Sequence, residues 1–389
     1  MALTVLWLPL AGGGTDPGPL HLVEIVTFTA LTVLVLSGSI AFASEHRNLL
    51  IVLALVLVGA TISTIFSVQL TKSVPLLIEW FWLAAITVLT LHLVRSGFSS
   101  WMVGMLLLAL AAQVFWAYLL WVIKGSPSAL HFGTFYAPNQ YAGFVLMLTP
   151  VLVGLALRAG GVMFVAMGVL SAAALSSIFL SGSRGGVVAA LFALIAVGIL
   201  YRRPKQWVRL AVVVGVSGVI AWVAVIAIGG SARVPLGSNE RPGISQKFTD
   251  NPQSLQMRLR WAKGAVLIGA SHPLTGAGLG TFGDEFFKIR HPDWDWSLFA
   301  HNQYLEVFAE GGVLMFAGMV LIPLVALRRR TGRWPHAGTE EFGWKVGCWA
   351  GLFGASLHLL VDHDWSYPAF AATFLIIAAL NVGSSTDSA

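Results

Sequence analysis

His301 opens the segment Ala300-His301-Asn302-Gln303-Tyr304-Leu305-Glu306, just ahead of a long apolar run. Histidine is the side chain whose ordinary pKa suits proton transfer near neutrality. Arg184 lies in Leu180-Ser181-Gly182-Ser183-Arg184-Gly185-Gly186, between two apolar runs. An arginine at a membrane edge is costly unless it meets water, a headgroup or an anionic ligand. The flanking glycines leave room for such a ligand; the plainer alternative is an anchor that snorkels to the interface. Arg258 sits where Leu255, Leu259 and Val266 recur at helical spacing, so 255–270 reads as a helix stopped by His272-Pro273. Asp362-His363-Asp364 closes a tight turn between two apolar runs. Three successive residues do not easily wrap one ion, and no H-E-x-x-H motif accompanies them. The two acids therefore read as orienting partners for a base or an arginine, or as a solvated turn.

Two further features lie nearby. Gly276-Ala277-Gly278-Leu279-Gly280-Thr281-Phe282-Gly283 contains G-x-G-x-x-G, but no strand precedes it and no βαβ unit surrounds it, so a dinucleotide site is excluded on context. It reads as a tight turn re-entering the membrane, or as an anion nest of backbone amides. Glu306 and Glu310 stand four apart before Gly311-Gly312. Trp261, Trp294 and Trp296 offer faces that stack on sugars or sit at headgroup level.

The elements that must carry these residues follow from composition. Of 389 residues, 57% are hydrophobic and 10% charged, against about 25% charged in a soluble domain. Mean hydropathy is +0.81. Continuous apolar runs exclude soluble, disordered, fibrous and outer-membrane-barrel classes, whose signatures differ. The pattern predicts an all-α polytopic membrane protein with about eleven transmembrane helices, near 20–43, 48–66, 74–94, 101–123, 140–157, 161–181, 185–201, 208–230, 304–327, 343–361 and 366–384. The organisation is an extracytoplasmic or interfacial segment 1–19, helices over 20–230, a long loop 231–303, helices over 304–384 and a tail 385–389. The single cysteine, Cys348, allows no intramolecular disulfide and no thiolate metal cluster.

Twelve Lys and Arg fall in the short loops of one side and three (Lys72, Lys124, Arg184) in those of the other, while eight lie in the long loop. Short positive loops stay cytoplasmic. The long loop and the site residues are therefore expected outside, with the tail inside. No cytoplasmic domain offers a nucleotide site, so an activated, lipid-borne substrate at the outer face becomes the natural energy source.

The ordered set Gly133-Thr-Phe-Tyr-Ala-Pro-Asn139-Gln-Tyr-Ala142, Ser181-Gly-Ser-Arg184-Gly185, Arg258-Leu259 with His272-Pro-Leu-Thr-Gly-Ala-Gly-Leu-Gly280-Thr-Phe282, Ala300-His301-Asn-Gln-Tyr-Leu-Glu306, and Val361-Asp362-His-Asp364 with Pro368-Ala369 resembles the O-antigen ligase and polymerase superfamily of bacterial inner-membrane proteins. The likeness covers about 130–375 in the right order. It implies a fold similar to the GT-C membrane glycosyltransferases, and transfer of a glycan from undecaprenyl diphosphate to an acceptor sugar hydroxyl at the periplasmic face. It assigns His301 as the catalytic residue and Arg184 and Arg258 to the diphosphate, with no metal and no cofactor.

Arg260, Asn302, Asp362, Asp364 and Asn139 are candidate supporting residues. Trp261, Trp294 and Trp296 are candidates for sugar stacking. The expected partners are the lipid-linked glycan donor, an acceptor glycolipid, membrane lipids and, as a further candidate, a chain-length regulator protein; nucleic acid is not expected. A polymerase is slightly preferred to a ligase, because no long basic stretch for a lipid A core stands outside the one loop. A lipid transporter or flippase would place its charges at the midplane and show inverted repeats, whereas the interior ionisable residues here are few: Glu79, His92 and His358. An intramembrane serine protease built on Ser183 and His358 lacks G-x-S-x-G.

Overall fold

The computed structural model describes residues 1, 3–40, 44–124, 132–227, 253–328 and 339–383. They are helical, with no strand among the described residues. The ends of the first and eighth expected spans (41–43, 228–230), the first part of the long loop, Arg329, Arg330 and Arg333, and the tail 385–389 lie outside the described residues. The helices are α1 Pro17–Leu36, α2 Arg47–Ile65, α3 Leu70–Arg95, α4 Ser99–Lys124, α5 Pro138–Arg158, α6 Gly161–Leu180, α7 Arg184–Tyr201, α8 Pro204–Ala227, α9 Gln253–Ser271, α10 Phe282–Ile289, α11 Gln303–Leu327, α12 Glu340–His358 and α13 Pro368–Val382.

Eleven of these correspond to the eleven expected spans, and nine are long and apolar enough to cross a membrane. The two exceptions have physical reasons. Helix α12 carries Glu340, Glu341 and Lys345 in its first two turns. Helix α13 has 15 residues, about 22 Å at 1.5 Å per residue against a hydrocarbon core of roughly 30 Å. Helix α1 stops at Leu36, seven residues before the expected end, at Ser37-Gly38, where Gly38 takes φ +65°. The chain is an all-α polytopic membrane protein.

Helix α5 is the axis of the bundle, with its whole hydrophobic stretch buried by its neighbours. Helix α12 lies directly on it through Gly343, Gly347 and Gly351, one glycine per turn on a single face. A Cβ at Gly351 would stand 2.0 Å from the Met147 carbonyl oxygen, and one at Gly347 would stand 2.4 Å from that of Pro150. Lipid gives helices no hydrophobic reason to associate, so close backbone approach through small residues does the work. Gly351→Val is expected to force the two helices apart at a cost of about 1–3 kcal/mol or more. The measurement is the thermal unfolding midpoint of the purified protein in detergent, which should drop; an unchanged midpoint would show that this contact is not tight.

Helix α11 is one expected span but two helical pieces. Gly312 takes φ +67° and ψ −172°, and the helix breaks there. The glycine turn after α9 fills the break. Ala277 N donates to Ala309 O (2.9 Å), Gly278 N to Glu310 O (3.0 Å), and Val313 N, released from the helix, donates to Pro273 O (2.8 Å). Ser63 Oγ of α2 also donates to Glu310 O (2.6 Å). Backbone groups freed inside a membrane need such partners. At the other end of the chain, Leu3–Leu10 forms short helical turns with Leu8 fully buried, and Thr134 Oγ1 donates to Pro9 O (2.7 Å).

Candidate functional site

The turn between α12 and α13 gathers the site. Asp362 Oδ1 accepts from the His363 amide (3.0 Å) and fixes the turn locally. The start of α11 is clamped to the same turn. Gln303 N donates to Leu359 O (2.9 Å) and Asp362 O (3.1 Å), and Asn302 Nδ2 donates to Leu360 O (2.9 Å). Asn302 also caps α11, its side-chain oxygen accepting from Leu305 N (3.0 Å). His301, just before this cap, is held at φ +50°. That region is uncommon for a non-glycine residue and persists only where the surroundings impose it.

Held this way, His301 presents Nδ1 to Asp362 Oδ1 at 3.3 Å. Its ring stacks on Trp261 of α9, centroids 4.7 Å apart, and meets His363 edge to face at 4.6 Å. From one turn earlier on α9, Arg258 donates through Nη2 to Asp362 Oδ2 at 3.4 Å. Gln140, in the first turn of α5, donates through Nε2 to Asp362 Oδ1 at 3.0 Å. Asp362 is 2% exposed, His301 20% and Arg258 30%. Asp362 thus sits beneath, while the imidazole and the guanidinium keep an accessible face.

The electrostatics suit a base and its orienting acid. Burial lowers the His301 pKa below the ordinary histidine value, as do the charges of His363 and Arg258, while Asp362 pulls the other way. Burial alone would raise Asp362, but contacts from His301 and His363 and the Arg258 charge hold it well below the usual carboxylate range. At neutral pH the pair is a neutral imidazole beside a carboxylate. With Nδ1–H held by Asp362, Nε2 is left to accept a proton.

The remaining candidates divide. Arg184 opens α7, exposed, with Ser183 Oγ capping the helix by accepting from Gly186 N (3.2 Å). Its neighbour Gly185 packs on the same turn as Asp362: a Cβ there would stand 2.8 Å from Val361 and 3.4 Å from His358 Nε2. Arg184 and Arg258 are therefore both borne on elements packed against the 358–364 turn. Asp364 is fully buried and engages His358 Nδ1 at 2.5 Å; Gly143 of α5 has no side chain because a Cβ would reach 2.4 Å from Asp364 Oδ2. Asp364 serves His358 and not His301. Arg260 points elsewhere, toward Asp293 O at 3.5 Å. Trp261 is at the site, donating through Nε1 to Asp295 O (3.0 Å). Trp294 instead stacks on Phe286 with Lys263 over its ring, and Trp296 donates to Gly283 O (2.9 Å). Asn139 is half-buried, and its neighbour Gln140 makes the contact with Asp362.

The glycine turn is not a vacant anion nest. Its amides serve the chain's own groups, including Glu310 Oε1, which accepts from Phe282 N at 3.0 Å. Two cavities adjoin the site. One, about 270 Å³, is lined by Glu79, Glu306 and Glu310 with Trp80 and Trp365, behind Phe299 and Gln303; Phe299 stacks on His363 at 4.0 Å. The other, about 730 Å³, is an apolar groove between α6, α7 and α8. Phe179 and Val187 line it on either side of the Arg184 turn, and Trp207 lines its far part.

Gln140 and His363 are the site residues that sequence reasoning did not single out. Gln140 stands in the Gly133–Ala142 segment, and His363 between two acids that read as orienting partners or as a solvated turn. No curated protein matches the chain. Residues 169–320, from within α6 to within α11, match the family described as O-antigen ligase. That stretch contains Arg184, Arg258 and His301, and the match supports the likeness to the O-antigen ligase and polymerase superfamily.

Proposed function

We propose that the protein transfers a glycan from undecaprenyl diphosphate to an acceptor sugar hydroxyl, with inversion and without a metal, at the periplasmic face of the bacterial inner membrane. The observation that carries this reading is the His301–Asp362 pair flanked by Arg258, with the Arg184 helix packed on the same turn. His301 Nε2 takes the proton of the acceptor hydroxyl as its oxygen bonds to the anomeric carbon. The glycosidic bond to the diphosphate breaks on the opposite face, and the leaving group departs with the electron pair. Arg184 and Arg258 stabilise its charge, which planar guanidinium groups do without loss of their own protons. A diphosphate leaves without a general acid, so the paired carboxylates of a glycosidase are not needed. The groove beside Arg184 supports the assignment of the donor, since its apolar walls suit a polyprenyl chain.

In surface polysaccharide assembly, O-antigen or exopolysaccharide, the acceptor is a second lipid-linked repeat in the polymerase reading, which we prefer. The ligase reading, with a lipid A core acceptor, is favoured by the description of the matched family. The test is transfer by the purified protein from an undecaprenyl-diphosphate-linked repeat, in EDTA, with a second repeat or a lipid A core as acceptor. Release of undecaprenyl diphosphate with elongation of the repeat is expected. Elongation of the lipid A core instead selects the ligase. Loss of transfer in EDTA, or retention of the anomeric configuration in the product, overturns the mechanism.

A further inference from the structure

Asp362-His363-Asp364 alone does not wrap an ion, but the fold brings a third donor from 61 positions away. His301 Nδ1 lies 3.3 Å from Asp362 Oδ1, and His363 Nδ1 lies 3.0 Å from the same oxygen. One ligand atom from each of the three residues lies within 4.8 Å of those of the other two. In a tetrahedral site with bonds of about 2.0–2.1 Å, neighbouring donors stand about 3.3 Å apart. Two imidazole nitrogens and one carboxylate oxygen are a common donor set for zinc. His363 Nδ1 is buried and, despite its closeness to Asp362, makes no hydrogen bond. An orphaned buried nitrogen beside a carboxylate calls for an explanation.

We propose that His301, Asp362 and His363 form a binding site for a divalent ion of the zinc type, and that its occupation inhibits the enzyme. The inhibitory half rests on the function proposed above; the binding half does not. Ligation at Nδ1 leaves each imidazole neutral and moves its proton from Nδ1 to Nε2. On His301 that proton occupies the atom that must receive the acceptor's proton, so the base is silenced while the ion remains. On His363 the displaced proton faces the Gln140 side-chain amide, 3.2 Å from Nε2. An amide can turn its oxygen toward that proton. Arg258 stays on Asp362 Oδ2, and the ion shares Oδ1 with the His363 amide, while the turned Gln140 amide withdraws its own donor from that oxygen. The partial exposure of His301 supplies the entry path.

The experiment uses the full chain purified in detergent, titrated with zinc chloride by calorimetry and with cobalt chloride by visible absorption. One ion per chain is expected, with the intense absorption of four-coordinate cobalt. His363→Ala and His301→Ala should each weaken binding by roughly tenfold or more, since even outer-shell partners are worth about 10–100-fold. In the transfer assay, zinc should stop turnover of the unsubstituted protein and EDTA should restore it. No stoichiometric binding, or binding indifferent to both substitutions, overturns the site. Binding with undiminished transfer overturns the inhibition. A protein that binds zinc at these residues yet transfers no glycan under any condition would instead refute the proposed function and leave the site standing.

Discussion

His301→Ala is expected to bind the lipid-linked donor normally and to lose roughly 10²–10⁴-fold in turnover, the usual contribution of a general base. In the proposed mechanism the donor is held elsewhere, by guanidinium groups on α7 and α9 and by the apolar groove. The loss should therefore appear in the rate of a single turnover at saturating donor, not in donor affinity. The fold should survive, because α11 is fixed to the α12–α13 turn by Asn302 and Gln303 and not by His301. Alanine keeps a Cβ at the same positive φ, so the backbone strain there is unchanged by the substitution. Wild-type single-turnover rates in His301→Ala would remove it from the chemistry. A loss confined to donor affinity would make it a binding residue.

The extent to which this site could be read from sequence depends on what each residue answers to. Helices built from long apolar runs were legible because length and hydropathy alone decide them, and Gln253–Ser271 followed from its spacing within two residues at either end. The break in α11 was harder. Gly311-Gly312 lies inside the expected span 304–327, and only the insertion of the 273–280 turn, supplying replacement backbone partners, makes the kink stable. The short helix Phe282–Ile289 was not expected, since it follows three glycines at positive φ and reads as their continuation. Arg184 stands out as a charge between two apolar runs, His301 as a titratable side chain at the start of one, and Arg258 through the motif that resembles the superfamily's. Gln140 and His363 do not stand out. A neutral amide next to Asn139 differs from it only by a helical step of about 100°, and that rotation decides which side chain meets Asp362. The pairing of Asp364 with His358 is likewise a matter of depth: both are fully buried, and the space between them exists because Gly143 has no side chain.

Arg258→Lys is expected to lower transfer by roughly 10²-fold or more, within the range found when one transition-state hydrogen-bond donor is removed, about 3–4 kcal/mol. Lysine keeps the charge, and with it part of the attraction for a diphosphate, so donor affinity should fall less than turnover. What is lost is the planar fork, which can hold Asp362 with one nitrogen while presenting others to phosphate oxygens. In the present geometry Nη2 spends itself on Asp362 Oδ2 at a long 3.4 Å, and the side chain remains 30% exposed. The other nitrogens are therefore available on the side where the leaving group would stand. Arg258→Ala should do more damage than the lysine variant in two ways. It removes the leaving-group contact, and it strips a cation from a carboxylate that is 2% exposed, leaving that charge poorly compensated and raising its pKa. His301 would then lose part of the acid that orients it, so the alanine variant should impair both halves of the site. The discriminating measurement is a double substitution with His301→Ala. If Arg258 acts on the leaving group alone, the two losses should multiply. If it also works through Asp362 and His301, the double variant should be less impaired than the product of the singles predicts. Full activity in Arg258→Lys would show that charge alone suffices and would remove the bidentate geometry from the mechanism.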